Sequence, residues 1–180
     1  MTDTRNWKRF RILAIAAIVF VGSAAVLLAE GQQEVDPAGA ENGDVVEIEM
    51  LRGEEFTFVN DPIGIYVEPG TTIRFTSVQA SHTATAYHPD YGKDLRIPEA
   101  AEPWDSGSVA PGQSFEVTLE VEGVYDYYCK PHEHLGHVGR IVVGDPDASP
   151  AVDASDLPGS APDAMPSVAA ILENRVVSAD

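Results

Sequence analysis

The chain has 180 residues, of which 29 are acidic and 11 basic, giving a formal net charge of -18. A hydrophobic content of 44% supports a packed core, and 22% charged residues argues against global disorder. So acidic a surface repels nucleic acid and anionic lipid headgroups and favours cationic partners or a high-salt medium, so no nucleic-acid partner is expected. A single cysteine excludes an internal disulfide framework, a four-thiolate zinc or iron–sulfur site, and a dinuclear centre that needs two thiolates.

In chain order, Arg5, Lys8, Arg9 and Arg11 precede an uncharged apolar stretch from Ile12 to Ala29. Its length, about 18 residues, is the lower limit for crossing a bilayer. Residues 1–29 are read as a signal or membrane-anchor segment whose positive flank stays cytoplasmic, which places everything after Glu30 outside. Ser23-Ala24-Ala25 offers a small-residue cleavage site, whereas the full length of the stretch favours an uncleaved anchor. No cysteine follows it, so no lipoprotein anchor is expected. Residues 30–43 are polar and acidic and read as a flexible linker.

From residue 44 the pattern alternates. Val46, Ile48 and Met50 interleave with Glu47 and Glu49, and Ile63, Ile65 and Val67 repeat the pattern before Pro69-Gly70 turns the chain into Ile73-Arg74-Phe75. Residues 87–110 break the alternation with Pro89, Gly92, Pro98, Pro103 and Gly107; they read as a long loop with Trp104 packing over the core. Phe115, Val117, Leu119 and Val121 mark the clearest strand, followed by Val124 to Cys129 and Gly139 to Val143. Short strands punctuated by Gly and Pro, without a helical run, predict an all-β antiparallel sandwich over residues 44–144. The tail, residues 145–180, is rich in Pro, Ala, Asp and Ser and reads as largely disordered; Ser167 to Val177 suits a short helix, with a frayed end favoured over docking on the domain.

The chemistry concentrates in Tyr128-Cys129-Lys130-Pro131-His132-Glu133-His134-Leu135-Gly136-His137-Val138-Gly139, which holds the lone cysteine and three of the five histidines. A thiolate with neutral imidazoles favours copper or zinc over hard cations. Alternation points Tyr125, Tyr127 and Cys129 into the sandwich; Pro131 stiffens the turn that carries His132, and Gly136 and Gly139 let the backbone close around His137. His82, following the strand of Phe75, is the upstream candidate, with His88 as its competitor. The metal candidates are therefore His82, Cys129, His132 and His137, while His134 reads as an exposed loop residue and Glu133 as solvated charge.

This stretch resembles the plastocyanin and pseudoazurin group of small blue-copper proteins, the cupredoxins, whose pattern is Cys-x-Pro-His, a spacer, then Gly-Met-Val-Gly. Here it reads Cys129-Lys130-Pro131-His132, then Gly136-His137-Val138-Gly139, with the aromatic lead-in Tyr125-Asp126-Tyr127-Tyr128. Charge and the N-terminal segment make it similar to the halocyanins, the acidic membrane-attached members from salt-loving archaea. The resemblance implies a Greek-key sandwich holding one copper ion, and an extracytoplasmic carrier rather than an enzyme. That carrier would act as a monomer between membrane-associated redox proteins and pass electrons through the exposed edge of His132. One departure stands out: His137 occupies the position of the usual axial methionine. If it binds, imidazole should stabilise Cu(II), lower the potential and shift the colour from blue towards green or red. Nitrosocyanin, a red-copper relative, also has a histidine there. The alternatives are a nitrosocyanin-like copper enzyme with an exchangeable position, and a copper-binding or zinc-binding module without redox turnover.

Overall fold

The computed structural model describes residues 44–179. The expected anchor (1–29) and linker (30–43) lie outside the described residues. Among those described, no helix is long and apolar enough to cross a membrane.

The alternating stretches form strands β1 (Val45–Arg52), β2 (Phe58–Asp61), β3 (Gly64–Val67) and β4 (Thr71–Ser77), then β5 (Thr85–Ala86), β6 (Ser114–Leu119), β7 (Gly123–Tyr128) and β8 (Val138–Val143). They assemble into two sheets, one ordered β2-β1-β4-β6 and the other β5-β7-β8-β3-β9, where β9 is Val176–Val177. Because the chain changes sheets between β2 and β3 and back at β4, two pairings run parallel, β1 with β4 and β3 with β8; the other pairings are antiparallel. Val46, Ile48, Met50, Ile73 and Phe75 from the first sheet meet Ile65, Val67, Tyr125, Tyr127, Ile141 and Val143 from the second. Trp104, Ile97 and Val109 from the long 87–113 connection complete this core, so that connection is part of the packing and not an appended loop. β6 follows its alternation, with Phe115 and Val117 half-buried and Leu119 buried, while Val121 falls beyond its end.

The tail overturns the expectation of disorder. It forms α1 (Ala161–Ala164) and α2 (Val168–Asn174), which pack on the outer face of the second sheet, and β9, which pairs antiparallel with β3 at that sheet's edge. Ala161 and Met165 fill one hollow against Tyr87, Tyr128 and Val138; Ile171 fills another against Val124 and Val142. α2 is capped by the Ser167 hydroxyl, which accepts the Ala170 N–H at 3.1 Å. Composition misleads here because the tail's sparse apolar residues have no core of their own and borrow one from the sheet. With both faces covered, every residue of β7 and β8 is buried.

Covering that face buries Asp126, which is 1% exposed. Its carboxylate accepts from Arg140 Nε and Nη2 at 2.6 and 3.0 Å and from Arg96 Nε at 3.0 Å. Other guanidinium N–H groups donate to tail carbonyls: Arg96 to Asp153 and Val152, Arg140 to Pro166, at 2.7–2.9 Å. The ion triad is thus the polar rivet of the tail. Removing one member of such a buried set leaves uncompensated charge and costs about 3–5 kcal/mol. Asp126→Ala is expected to lower unfolding free energy by about that amount and to speed amide exchange in residues 152–166, measured by denaturant titration and hydrogen exchange; tail exchange unchanged from the unmutated chain would refute the rivet.

Candidate metal centre

One end of the sandwich collects the donor side chains. His82 lies past β4, where its backbone bridges Val109 (N–H to carbonyl distances of 3.1 and 2.8 Å). Its ring Nε2 donates to the Gln79 carbonyl at 3.0 Å, which leaves Nδ1 with the lone pair, 3.9 Å from Cys129 Sγ. Cys129 directly follows β7, facing inward as the alternation of Tyr125 and Tyr127 demands. Just beyond it the chain doubles back: His132 N–H donates to the Cys129 carbonyl at 3.0 Å, and Cys129 N–H to the His137 carbonyl at 2.9 Å. A single 3-10 turn, Glu133–Leu135, separates His132 from His137 and closes on Gly136, whose φ of 88° a side-chain-bearing residue resists. Gly139 serves differently: its φ is ordinary, but the Tyr127 ring lies where a Cβ would stand.

His132 Nδ1 is 3.4 Å from Cys129 Sγ, and its ring stacks flat on Phe58, centroids 3.8 Å apart and planes 6° from parallel. His137 Nε2 meets Asn60 Oδ1 at 2.9 Å. One donor atom each from His82, Cys129, His132 and His137 lies within 4.8 Å of the others. The four candidates are thus brought together. His88 is not among them; it accepts the Asp90 N–H at 3.2 Å and caps the turn Pro89–Tyr91. His134 is exposed, as expected. Glu133, expected to be solvated, is instead buried and ion-paired with Lys93.

The sequence did not point to three further residues at this end. Thr83 gives its N–H to Cys129 Sγ at 3.3 Å, and its hydroxyl accepts the Lys130 N–H at 2.9 Å, tying the His82 segment to the cysteine loop. Phe58 and Asn60 come from β2, a strand whose residues show no apolar alternation. Only the position of Thr83 directly after His82 was a usable signal.

Burial sets the protonation states. It lowers the pKa of His82 and His132, and that of His137 to about 3, with the neighbouring histidines adding to the effect at His137. Burial pushes the Cys129 thiol up. At neutral pH the imidazoles are therefore uncharged bases with available lone pairs, and the thiol keeps its proton until a cation replaces it.

The profile of the "Copper binding proteins, plastocyanin/azurin family" matches residues 46–144. The chain belongs to that family. This cupredoxin is 31% identical to the pseudoazurin of Paracoccus pantotrophus over 121 residues, which is 66% of this chain and 77% of the relative. It is 28% identical to the chloroplastic plastocyanin of Hordeum vulgare over 130 residues, 72% and 76% of the two chains. Among solved structures, a pseudoazurin from Sinorhizobium superposes with a TM-score of 0.51 at 30% identity, covering 67% of this chain and 90% of the other. The pseudoazurin from Hyphomicrobium denitrificans shares the fold with a TM-score of 0.54 at 24% identity, covering 73% and 94%. The family binds one copper ion, and the cupredoxin's donors fit it: one soft thiol and three imidazoles, of which His137 has a buried Nδ1 without a hydrogen-bond partner.

The sign of the pH dependence follows from the raised thiol. Below its pKa each bound ion must displace the Cys129 proton, so affinity rises with pH. With the imidazoles already neutral, the slope between about pH 7 and 8 is expected to be close to one proton per ion, or about tenfold in affinity per unit. Competition titrations with Co(II) in this range check it; a slope near zero would mean that the thiol is not displaced.

Proposed function

We propose that the protein is an extracytoplasmic one-electron carrier that holds a single copper through His82, Cys129, His132 and His137. The observation that carries this reading is the convergence of one thiol and three imidazoles within 4.8 Å at a buried end of the sandwich. Copper, when bound, supplies exchange between Cu(I) and Cu(II). The chain supplies four donors on a frame braced from both sheets, so that little rearranges between the two states. His82 and Cys129 are 1% exposed and His137 is 0% exposed; only His132 is partly open to solvent. That arrangement supports electron passage along the His132 edge and disfavours a substrate position.

Residues 1–29 act in this reading as a membrane anchor and 30–43 as its tether, which keeps the copper-binding domain of residues 44–144 and its covering tail beside membrane-associated redox donors and acceptors. Each described lysine and arginine lies against a carboxylate or an aromatic face: Arg74, Lys93, Arg96, Lys130 and Arg140 in ion pairs, Arg52 and Arg175 over rings. The unpaired surplus is negative, which suits cationic partners and a saline, halocyanin-like setting.

In the full chain loaded with Cu(II), Cys129→Ser is expected to abolish the intense visible band, because that band requires a copper–thiolate bond. Colour surviving the change would sink the assignment, and a chain that takes up zinc alone would favour a module without redox turnover. His137→Met is expected to move the spectrum towards blue and raise the potential, since a thioether favours Cu(II) less than an imidazole does. Redox titration with visible spectra reads both effects; no change in either would remove His137 from the site.

A further inference from the structure

β2 is the least conspicuous strand in the sequence, yet two of its residues meet the metal centre. Phe58 and Asn60, two positions apart and so on one face, are both buried, the first stacked on His132 and the second bonded to His137. Asn60 is 2% exposed and makes two hydrogen bonds of 2.9 Å. Its Nδ2 donates to the Val138 carbonyl, which can only accept, and this settles which end of the amide is nitrogen. The other end, Oδ1, therefore faces His137 Nε2 as an acceptor, so Nε2 must carry a proton. A neutral imidazole has one ring proton, so Nδ1 is left as a bare lone pair. That same Nδ1 is the His137 atom buried without a partner. A stranded acceptor in the interior is costly unless something occupies its lone pair.

We propose that Asn60 is a positioning residue for the copper site: it locks His137 in the Nε2–H tautomer, fixes the ring, and reserves Nδ1 for the metal. The proposal rests on the reading that His137 is a copper ligand and adds the residue that selects which of its nitrogens binds. The amide also spans the sandwich, because β2 belongs to the first sheet and Val138 opens β8 in the second. One side chain thereby ties the end of the ligand loop to the sheet edge and sets the tautomer. Outer partners of this kind, which orient a ligand imidazole through its second nitrogen, typically change metal affinity by 10- to 100-fold when lost.

Long-range proton–nitrogen correlation spectra of the full metal-free chain, with labelled histidine at neutral pH, test the lock without copper. The expected result is a single His137 tautomer, protonated on Nε2, with that proton exchanging slowly with solvent. An Nδ1–H tautomer, or two tautomers in exchange, would overturn the proposal whether or not any variant folds. Asn60→Leu, which removes the acceptor, is expected to release a tautomer mixture, to weaken Cu(II) by about 10- to 100-fold, and to shift the paramagnetic-resonance spectrum. Asn60→Asp, which keeps an oxygen towards Nε2, is expected to retain the single tautomer. An Asn60→Leu protein with the wild-type tautomer, affinity and spectrum refutes the role of Asn60 while the thiolate band of the unmutated chain still stands. Absence of that band in the unmutated chain overturns the copper reading instead, and the metal-free tautomer still decides Asn60.

Discussion

The structure depends on gathering one thiol and three imidazoles at a buried point while leaving each a lone pair or proton that a cation can use. Burial alone would strand their polar atoms, and that sets what the surroundings must provide. The Gln79 carbonyl takes the Nε2 proton of His82, Asn60 takes that of His137, and the Thr83 N–H reaches the sulfur. His132 is held by the face of Phe58 and keeps an edge in solvent. These supports come from the segment after β4 and from β2, so the centre exists only where the two sheets and the ligand loop close together.

A second buried polar element performs structural work at a distance from the first. Asp126 sits on the strand that leads into Cys129 and faces the opposite side, so that one face of β7 runs on into the candidate site and the other offers an anion to two guanidinium groups. Those guanidinium groups extend the link to the carbonyls of the tail. The covering layer thereby closes over the outer face of the sheet, where Tyr128 and Val138, next to the cysteine and to His137, pack against Ala161 and Met165. The packed core on one side and the ordered tail on the other meet on the same strand, which is buried on both faces.

Charge follows a different logic. The few cations of residues 44–179 lie against Asp126, against carboxylates of the first sheet or near the candidate loop, or against aromatic rings, so the net charge is expressed outward with little to offset it.

Much of the candidate site was readable from local order in the chain. Cys129, His132 and His137 share one short loop, whose backbone bonds can form from nearest neighbours, and alternation through Tyr125 and Tyr127 sets the direction of the cysteine. The strands with strong alternation were equally readable, because burial on one face and water on the other writes a period of two into the residues. What the sequence by itself determined was thus the cysteine and histidines of the candidate loop, the sandwich and the surplus of negative charge. Tertiary structure alone decided the rest. It chose His82 over His88, because only the former reaches the sulfur while the latter caps a turn. It recruited Asn60 and Phe58 from a strand with no periodic signature, and it ordered a tail whose apolar residues are too sparse to fold by themselves. In each case the partner lies far away in sequence, and the energy of the contact belongs to the pair, so neither residue carries a local mark of it.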